Sequence, residues 1–328
     1  MNIVVYEHFS RPVERPARAG RGALFRAGRA MRLAVSRDLA SLPGARLVPL
    51  FPGPPPRILA RALARTDAAL VIAPEDGGLL ERLAAAPVRA GVLSLGPGPA
   101  AVRLAGDKVS TARLLRAAGV PVPPAATVSG GGAVVLKPRR GCGADGVIIA
   151  RRPEDRRRGA RIAARAAHGD GIVTQAFVPG RAVSASYLVR AGGDGERSGD
   201  LLCLGIACQH LTGRFRLAYA GGEIPGGIPQ RDAIAAERTA RAAVAALARA
   251  ASDLRGFVGV DLVLGPDGPV VIEINPRLTS SYLGLSRMAG GRIARLMLAA
   301  ARGERLPARL STSGRWRFLA SGRVRRLA

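Results

Sequence analysis

Residues 270–277 read Val-Val-Ile-Glu-Ile-Asn-Pro-Arg. Side chains alternate along a strand, so Glu273 and Asn275 share one face of this apolar run. A carboxylate beside an amide oxygen suits a hard divalent cation, and Arg277 just beyond suits an anion. Upstream, "GVDLVLGPDGPVV" (259–271) predicts the partner strand of a hairpin that turns at Gly-Pro-Asp-Gly. With the turn centred on Asp267, Asp261 falls across from Glu273. Like charges directly opposed repel, and charges inside apolar strands are costly unless paired or metal-bound. Asp261, Glu273 and Asn275 therefore read as an Mg²⁺ site, with Mn²⁺ a substitute, completed by substrate phosphates. The plainer alternative is an amphipathic hairpin with outward acids.

Lysine usage sharpens this. The chain holds 50 Lys and Arg residues, yet lysine stands only at 108 and 137, and asparagine only at 2 and 275. A compact ammonium is not interchangeable with a planar guanidinium, so Lys108 and Lys137 are candidate anion contacts. Lys137 ends a Val-Val-Leu run and precedes "PRRGCGADG" (138–146), a loop in which Gly141, Gly143 and Gly146 can fold over phosphates. No Gly-Lys-Ser/Thr follows, so it is not a Walker loop.

These residues need a scaffold, and the chain is long enough for one: 328 residues, 48% hydrophobic, argue for a globular protein of two or three sub-domains. No run of 18 or more uncharged apolar residues predicts a membrane span, and the first residues lack signal-peptide features. Three cysteines without metal-site spacing fit a reducing, cytoplasmic setting. The net charge of +27 points at face value to nucleic acid. That reading is disfavoured, because the arginines are scattered and the basic runs at 151–158 and 315–326 lack the interleaved aromatics of a stacking platform. Both runs are expected to be solvated helical faces.

Strand-like and helical segments alternate over residues 1–103, which predicts an N-terminal parallel α/β domain. A helix at 107–119, a strand–loop–strand at 133–150, a polar helix at 151–167 and a strand at 171–178 form a second unit, 104–180. Antiparallel strands, a helix at 233–250 and the acidic hairpin form a third, 181–310. Residues 311–328 read as a basic tail anchored by Trp316. No catalytic Ser-His-Asp or Cys-His set is expected, and Cys142, His168 and His210 are given no catalytic role.

Taken together, "GDKVSTARLLRAAGVPVP", "VVLKPRRGCGADGV", "IVTQAFVPG" and "GVDLVL…VVIEINPR" resemble the ATP-grasp superfamily across residues 1–305. The resemblance implies a pre-grasp α/β domain followed by a two-subdomain α+β grasp fold with ATP between the subdomains. It implies that Lys108 and Lys137 contact phosphates and that the backbone of Gln175, Ala176, Phe177 and Val178 holds adenine. Two Mg²⁺ ions would sit on Asp261, Glu273 and Asn275, and Arg277 would stabilise the transferring phosphoryl group. The acid that often follows the hinge glycine is missing; Ala182 stands in that region, which leaves Ser184 for the ribose. "VVYEHFS", "CQHL…AYAGGEIPGG" and "INPRLTSSYLGL" resemble the tyramine–L-glutamate ligase group of methanofuran-type cofactor biosynthesis. That implies ATP-dependent amide formation through an acyl phosphate, with an amino acid and an amine as small-molecule substrates. Glu7, His8, Gln209, Glu223, Thr279, Ser280 and Tyr282 are the candidate substrate contacts. Another acid or amine, a nucleic-acid binder on the same scaffold, and a homo-oligomer remain open.

Overall fold

The computed structural model describes residues 1–12, 22–129, 131–192 and 200–328. In chain order the elements begin β1 (Asn2–Glu7), α1 (Ala23–Ala40), β2 (Arg46–Leu47), α2 (Pro55–Leu63), β3 (Ala68–Ile72), α3 (Leu79–Arg89) and β4 (Leu93–Ser94). They continue α4 (Pro99–Gly106), α5 (Lys108–Ala117), β5 (Val134–Pro138), β6 (Ile148–Ala150), α6 (Pro153–Ala166) and β7 (Ile172–Ala176). The last are β8 (Arg181–Val189), β9 (Leu201–Thr212), β10 (Ala218–Ile224), α7 (Gln230–Ala250), β11 (Gly256–Gly265), β12 (Gly268–Asn275), α8 (Tyr282–Met288), α9 (Arg292–Ala301), β13 (Arg315–Leu319) and β14 (Val324–Leu327).

Among the described residues these strands form three sheets. The first is parallel, in the order β2-β1-β3-β4. Its central strands are buried on both faces, as parallel strands under helical crossovers must be. The second is the small antiparallel sheet β6-β5-β7, with α6 on one face and its own core of Val134, Leu136, Ile148, Ala150 and Ala163. The third is β12-β11-β8-β9-β10-β13-β14. Its α7 face packs an alanine- and valine-rich core, while Leu188, Ile224, Phe257 and Phe318 belong to a core shared with β1, β3 and α1.

The expectation of a solvated helical face fails for residues 315–326. Alternation in Arg-Trp-Arg-Phe-Leu makes β13 a strand: Phe318 is buried while Arg317 faces Glu223 across the ladder. Gly322, in the left-handed region at φ 87, then allows the reversal into β14. The segment is thus not a tail but the far edge of the large sheet.

The acidic hairpin turns at Pro266-Asp267, where Gly265 pairs with Gly268 and Leu262 with Val271. The turn is therefore centred between those two residues and not on Asp267. Continued unchanged, that register would set Ile272 against Asp261 and leave Glu273 on the face of Val271, towards the α7 core. Instead the register shifts there, and Asp261 pairs with Glu273 and Gly259 with Asn275. Ile272 is the extra residue of a β-bulge, and the bulge turns Glu273 to the cleft.

Candidate active site

A cleft of about 420 Å³ opens where the three sheets meet. Its walls include Lys108, Lys137, Gly141, Gly143, Gln175, Ala176, Phe177, Val178, Ser184, Gln209, Asp261, Glu273, Asn275, Arg277, Thr279 and Ser280. Residues up to 172 positions apart in sequence, Lys108 to Ser280, are gathered by the ends of β5, β7 and β12 and the start of α5.

Lys108 opens α5 directly after Asp107. The Asp107 carboxylate caps the helix by accepting from the amides of Val109 (3.0 Å) and Ser110 (3.3 Å), and it also takes the Arg139 guanidinium at 2.5–3.0 Å. Lys108 N–H donates to the Arg139 carbonyl. The start of α5 is thereby tied to the chain leaving β5, and Lys108 Nζ lies 3.2 Å from the Gly141 carbonyl and 3.3 Å from Glu273 Oε2. Lys137 is 3% exposed, and its Nζ donates to the carbonyl of Ile272, the bulge residue, at 3.3 Å. Burial pulls the Lys137 ammonium down to about 8 against the attraction of Glu273.

Asp261 and Glu273 face each other as a half-buried carboxylate pair on the cleft wall. Burial, then the charge of Glu273, pushes Asp261 up to about 6, although Ser184, Asn275 and Gln209 all donate to it. Burial would raise Glu273 too, but Lys108 and Lys137 outweigh it and hold that carboxyl below its ordinary value. Gln209 Nε2 reaches Asp261 Oδ1 at 3.0 Å and Asn275 Nδ2 reaches Asp261 Oδ2 at 3.1 Å. Among the described residues no three His, Cys, Asp or Glu side chains could hold a metal by themselves. Two facing carboxylates and the Asn275 amide do fit a hard cation that takes its remaining oxygens from phosphates. The Lys108 ammonium against Glu273 marks where positive charge is drawn.

Arg277 donates through Nε to Glu75 Oε1 (2.8 Å) and through Nη2 to Asn275 Oδ1 (3.2 Å). Glu75 is 5% exposed and belongs to the turn after β3. The sequence reading missed it; its place just past the C-terminal end of a parallel strand, where such sheets bind ligands, was the available signal. Tyr219, whose hydroxyl lies 2.7 Å from Ser280 Oγ, was missed as well and also lines the cleft.

At the hinge, the amides of Ala176 and Phe177 donate to the carbonyls of Pro124 and Ala133. Val178 is left as the hinge amide that no backbone carbonyl takes among the described residues. Ser184 sits opposite Asp261 and donates to it, which engages its hydroxyl at the carboxylate pair.

Four candidates lie outside the cleft lining. Gly146, at φ 68, seats the loop against α6: a Cβ there would come within 2.4 Å of Ala166 Cβ. His8 packs edge-on against Phe9, and burial lowers its imidazole to about 4. Glu223 is held by Arg315 (2.6 Å), by Arg317 and by His210 (3.6 Å), anchoring β13. Tyr282 is fully buried and donates to Asp38 Oδ2 at 2.9 Å, joining α8 to α1. Cys142 does line the cleft, but burial pushes its thiol up to about 12, which removes nucleophilic character at neutral pH.

The ATP-grasp domain family matches residues 105–281, and the pre-ATP-grasp domain family matches residues 35–102. The chain therefore belongs to the ATP-grasp family. Among curated proteins it is 27% identical over 240 residues to the tyramine–L-glutamate ligase of Methanocaldococcus jannaschii, a match covering 73% of this chain and 64% of that one. It is 32% identical to the D-alanine–D-alanine ligase of Desulforudis audaxviator over 66% of this chain and 72% of that one. A crystal structure of an ATP-grasp superfamily protein from Archaeoglobus fulgidus superposes with a TM-score of 0.72 at 26% identity, covering 97% of this chain and 92% of that one.

Proposed function

We propose that the protein is an ATP-dependent carboxylate–amine ligase that forms an amide through an acyl phosphate, with the γ-carboxylate of L-glutamate and the amine of tyramine as its substrates. The observation that carries the reaction type is the convergence of Lys108, Lys137 and Arg277 on the Asp261–Glu273–Asn275 face of one cleft. The substrate pair is supported by similarity to the tyramine–L-glutamate ligases.

Adenine would lie against the Gln175–Val178 hinge, with the Val178 amide as a backbone donor. Lys108, Lys137 and the Gly141–Gly143 loop would hold the phosphates. Asp261, Glu273 and Asn275 would hold two Mg²⁺ ions, which neutralise phosphate charge. Arg277, oriented by Glu75, would face the phosphoryl group in transfer. The acid's carboxylate oxygen attacks the γ-phosphorus and ADP leaves; the amine nitrogen then attacks the acyl carbon and phosphate leaves. Catalysis of this kind is positioning and charge neutralisation.

The test is product analysis. ADP and phosphate should form only with acid present, hydroxylamine should trap glutamyl hydroxamate, and tyramine should give a γ-linked amide by mass. Glu273→Gln should abolish turnover while keeping the fold, since it removes one of the two carboxylate charges. AMP as product, or full turnover by a folded Glu273→Gln variant, would overturn the mechanism. The D-alanine–D-alanine ligase relative supports a second reading, an amino acid as the acceptor; amide formation with D-alanine and none with tyramine would select it.

A further inference from the structure

The end of the cleft away from the hinge contains an acid that the proposed reaction does not use. Glu7 is 1% exposed, lines the cleft, and pairs in register with Ile72 of β3, three residues before Glu75. Its carboxylate is fixed by the amides of Phe9 (3.2 Å to Oε1) and Ser10 (2.7 Å to Oε2). The Ser10 hydroxyl donates to it as well, so Glu7 is hydrogen-bonded; what it lacks among the described residues is a cation in contact, which Glu75 has in Arg277 and Glu273 in Lys108. Arg32, which acts on it electrostatically, directs its Nε–H to Ser10 Oγ at 3.0 Å. Burial raises the Glu7 carboxyl above its ordinary value, as it must for a carboxylate short of positive charge.

Apolar side chains share the cleft wall with Glu7, Phe9, Ala27, Met31, Ile72 and Phe318 among them. Among the described residues the cationic side chains on the cleft wall are Lys108, Lys137 and Arg277, and all stand at the carboxylate–phosphate face. A buried acid without a cation costs folding free energy unless a ligand supplies the charge. An amino-acid substrate would bring an α-carboxylate to this chamber with no cation of its own to meet it. A primary ammonium on an apolar or aromatic body would meet both the acid and the walls.

We infer that this chamber is the amine subsite: it takes an arylalkylammonium, with Glu7 as counter-ion and Met31, Phe9 and Phe318 against the body. The inference rests on the ligase reading for the presence of an amine, but its test needs no turnover. Tyramine is titrated calorimetrically into the full chain beside 4-ethylphenol, which lacks the nitrogen. Glu7→Gln keeps an acceptor oxygen for the turn and should weaken tyramine binding at least about tenfold, with 4-ethylphenol and ADP binding unchanged. Met31→Trp keeps the acid and fills the chamber, so it should weaken both aromatic ligands and leave ADP binding intact; it also serves if Glu7→Gln fails to fold. Equal tyramine binding by wild type and Glu7→Gln would overturn the assignment, as would unaltered binding by Met31→Trp or no tyramine binding by wild type. Acid-dependent hydroxamate formation by the wild type tests the ligase reading separately. Its absence from the wild type would defeat the ligase reading while the ammonium titration still decided the chamber.

Discussion

In a chain of 48 arginines, the two lysines lie in the same cleft, one on either side of Glu273. The environment of Lys137 explains why arginine would not serve. Its ammonium is buried and reaches a single backbone carbonyl, a geometry that suits a compact point charge better than a planar fork of five donors. Lys137→Arg should therefore lower ATP affinity by about tenfold, near 1.4 kcal/mol, with the fold unchanged, as read by nucleotide titration beside thermal unfolding. Unchanged affinity would mean the lysine is incidental. The site's charged residues were legible in the sequence because each is a rare or costly choice where it stands: an acid in an apolar strand, a lysine among arginines. Tyr219 was not legible, and Glu75 only by its place after β3, because their partners, Ser280 and Arg277, are distant in sequence and reach them through tertiary packing. Ser184 was legible as a cleft residue, but its hydrogen bond to Asp261 was not, since which neighbour a hydroxyl meets depends on the strand laid beside it.

At the scale of elements, local pattern found most helices and strands, while register and edges escaped it. The helix expected over 107–119 is α5, which Asp107 caps and Gly119, at φ 70, ends. The last eighteen residues were misread because high arginine content hid a two-residue alternation whose buried member is Phe318. Arginine on the outer face of an edge strand is a common guard against edge-to-edge association. Glu223 makes that edge depend on pH. Burial would raise its carboxyl, but Arg317 and Arg315 outweigh burial and hold it below the ordinary 4.5. The stabilisation is therefore complete above 4.5 and is lost as pH falls through the depressed value in the folded state. Amide exchange of β13 should quicken on acidification through that range in the wild type, and Glu223→Gln should show fast exchange already at neutral pH with little further change. Flat protection of β13 in the wild type across the same range would remove Glu223 as its anchor.

Across the whole molecule, two of the three layers are joined and one stands apart. The core that includes β1, β3 and α1 runs without interruption into the large sheet, α8 and α9. Asp253 ties the same two parts together by accepting from the amides of Ala100 and Ala101 at the start of α4. Asp38 does so from the other side, where Tyr282 and Ser286 both donate to Oδ2. The small sheet keeps a core of its own and meets the rest chiefly around the cleft. Tyr282→Phe should therefore lower stability by about 2 kcal/mol, since it removes a buried hydrogen bond to a charged group. Thermal unfolding should register that loss, while ADP affinity stays as in the wild type because the joint is remote from the hinge. A variant as stable as the wild type would show that the joint is held by apolar packing alone.

The bulge at Ile272 makes chain length, and not only residue type, a determinant of activity. No point substitution can remove a surplus residue from a strand. A one-codon deletion can, and its consequence here is unusual. Without Ile272, Glu273 would still follow Val271 into the place opposite Asp261, and Asn275 would still fall opposite Gly259. What disappears is the carbonyl that receives the Lys137 ammonium. The deletion should therefore fold and keep its acidic pair, yet bind ATP more weakly, by about tenfold, in a nucleotide titration. A one-residue insertion at the same point should do the reverse: it would carry Glu273 back to the α7 face and leave Asp261 without its partner. A relative with one residue more at this point of the strand would thus lose the acidic pair, and one with a residue fewer would keep it, however closely the rest of their sequences agree.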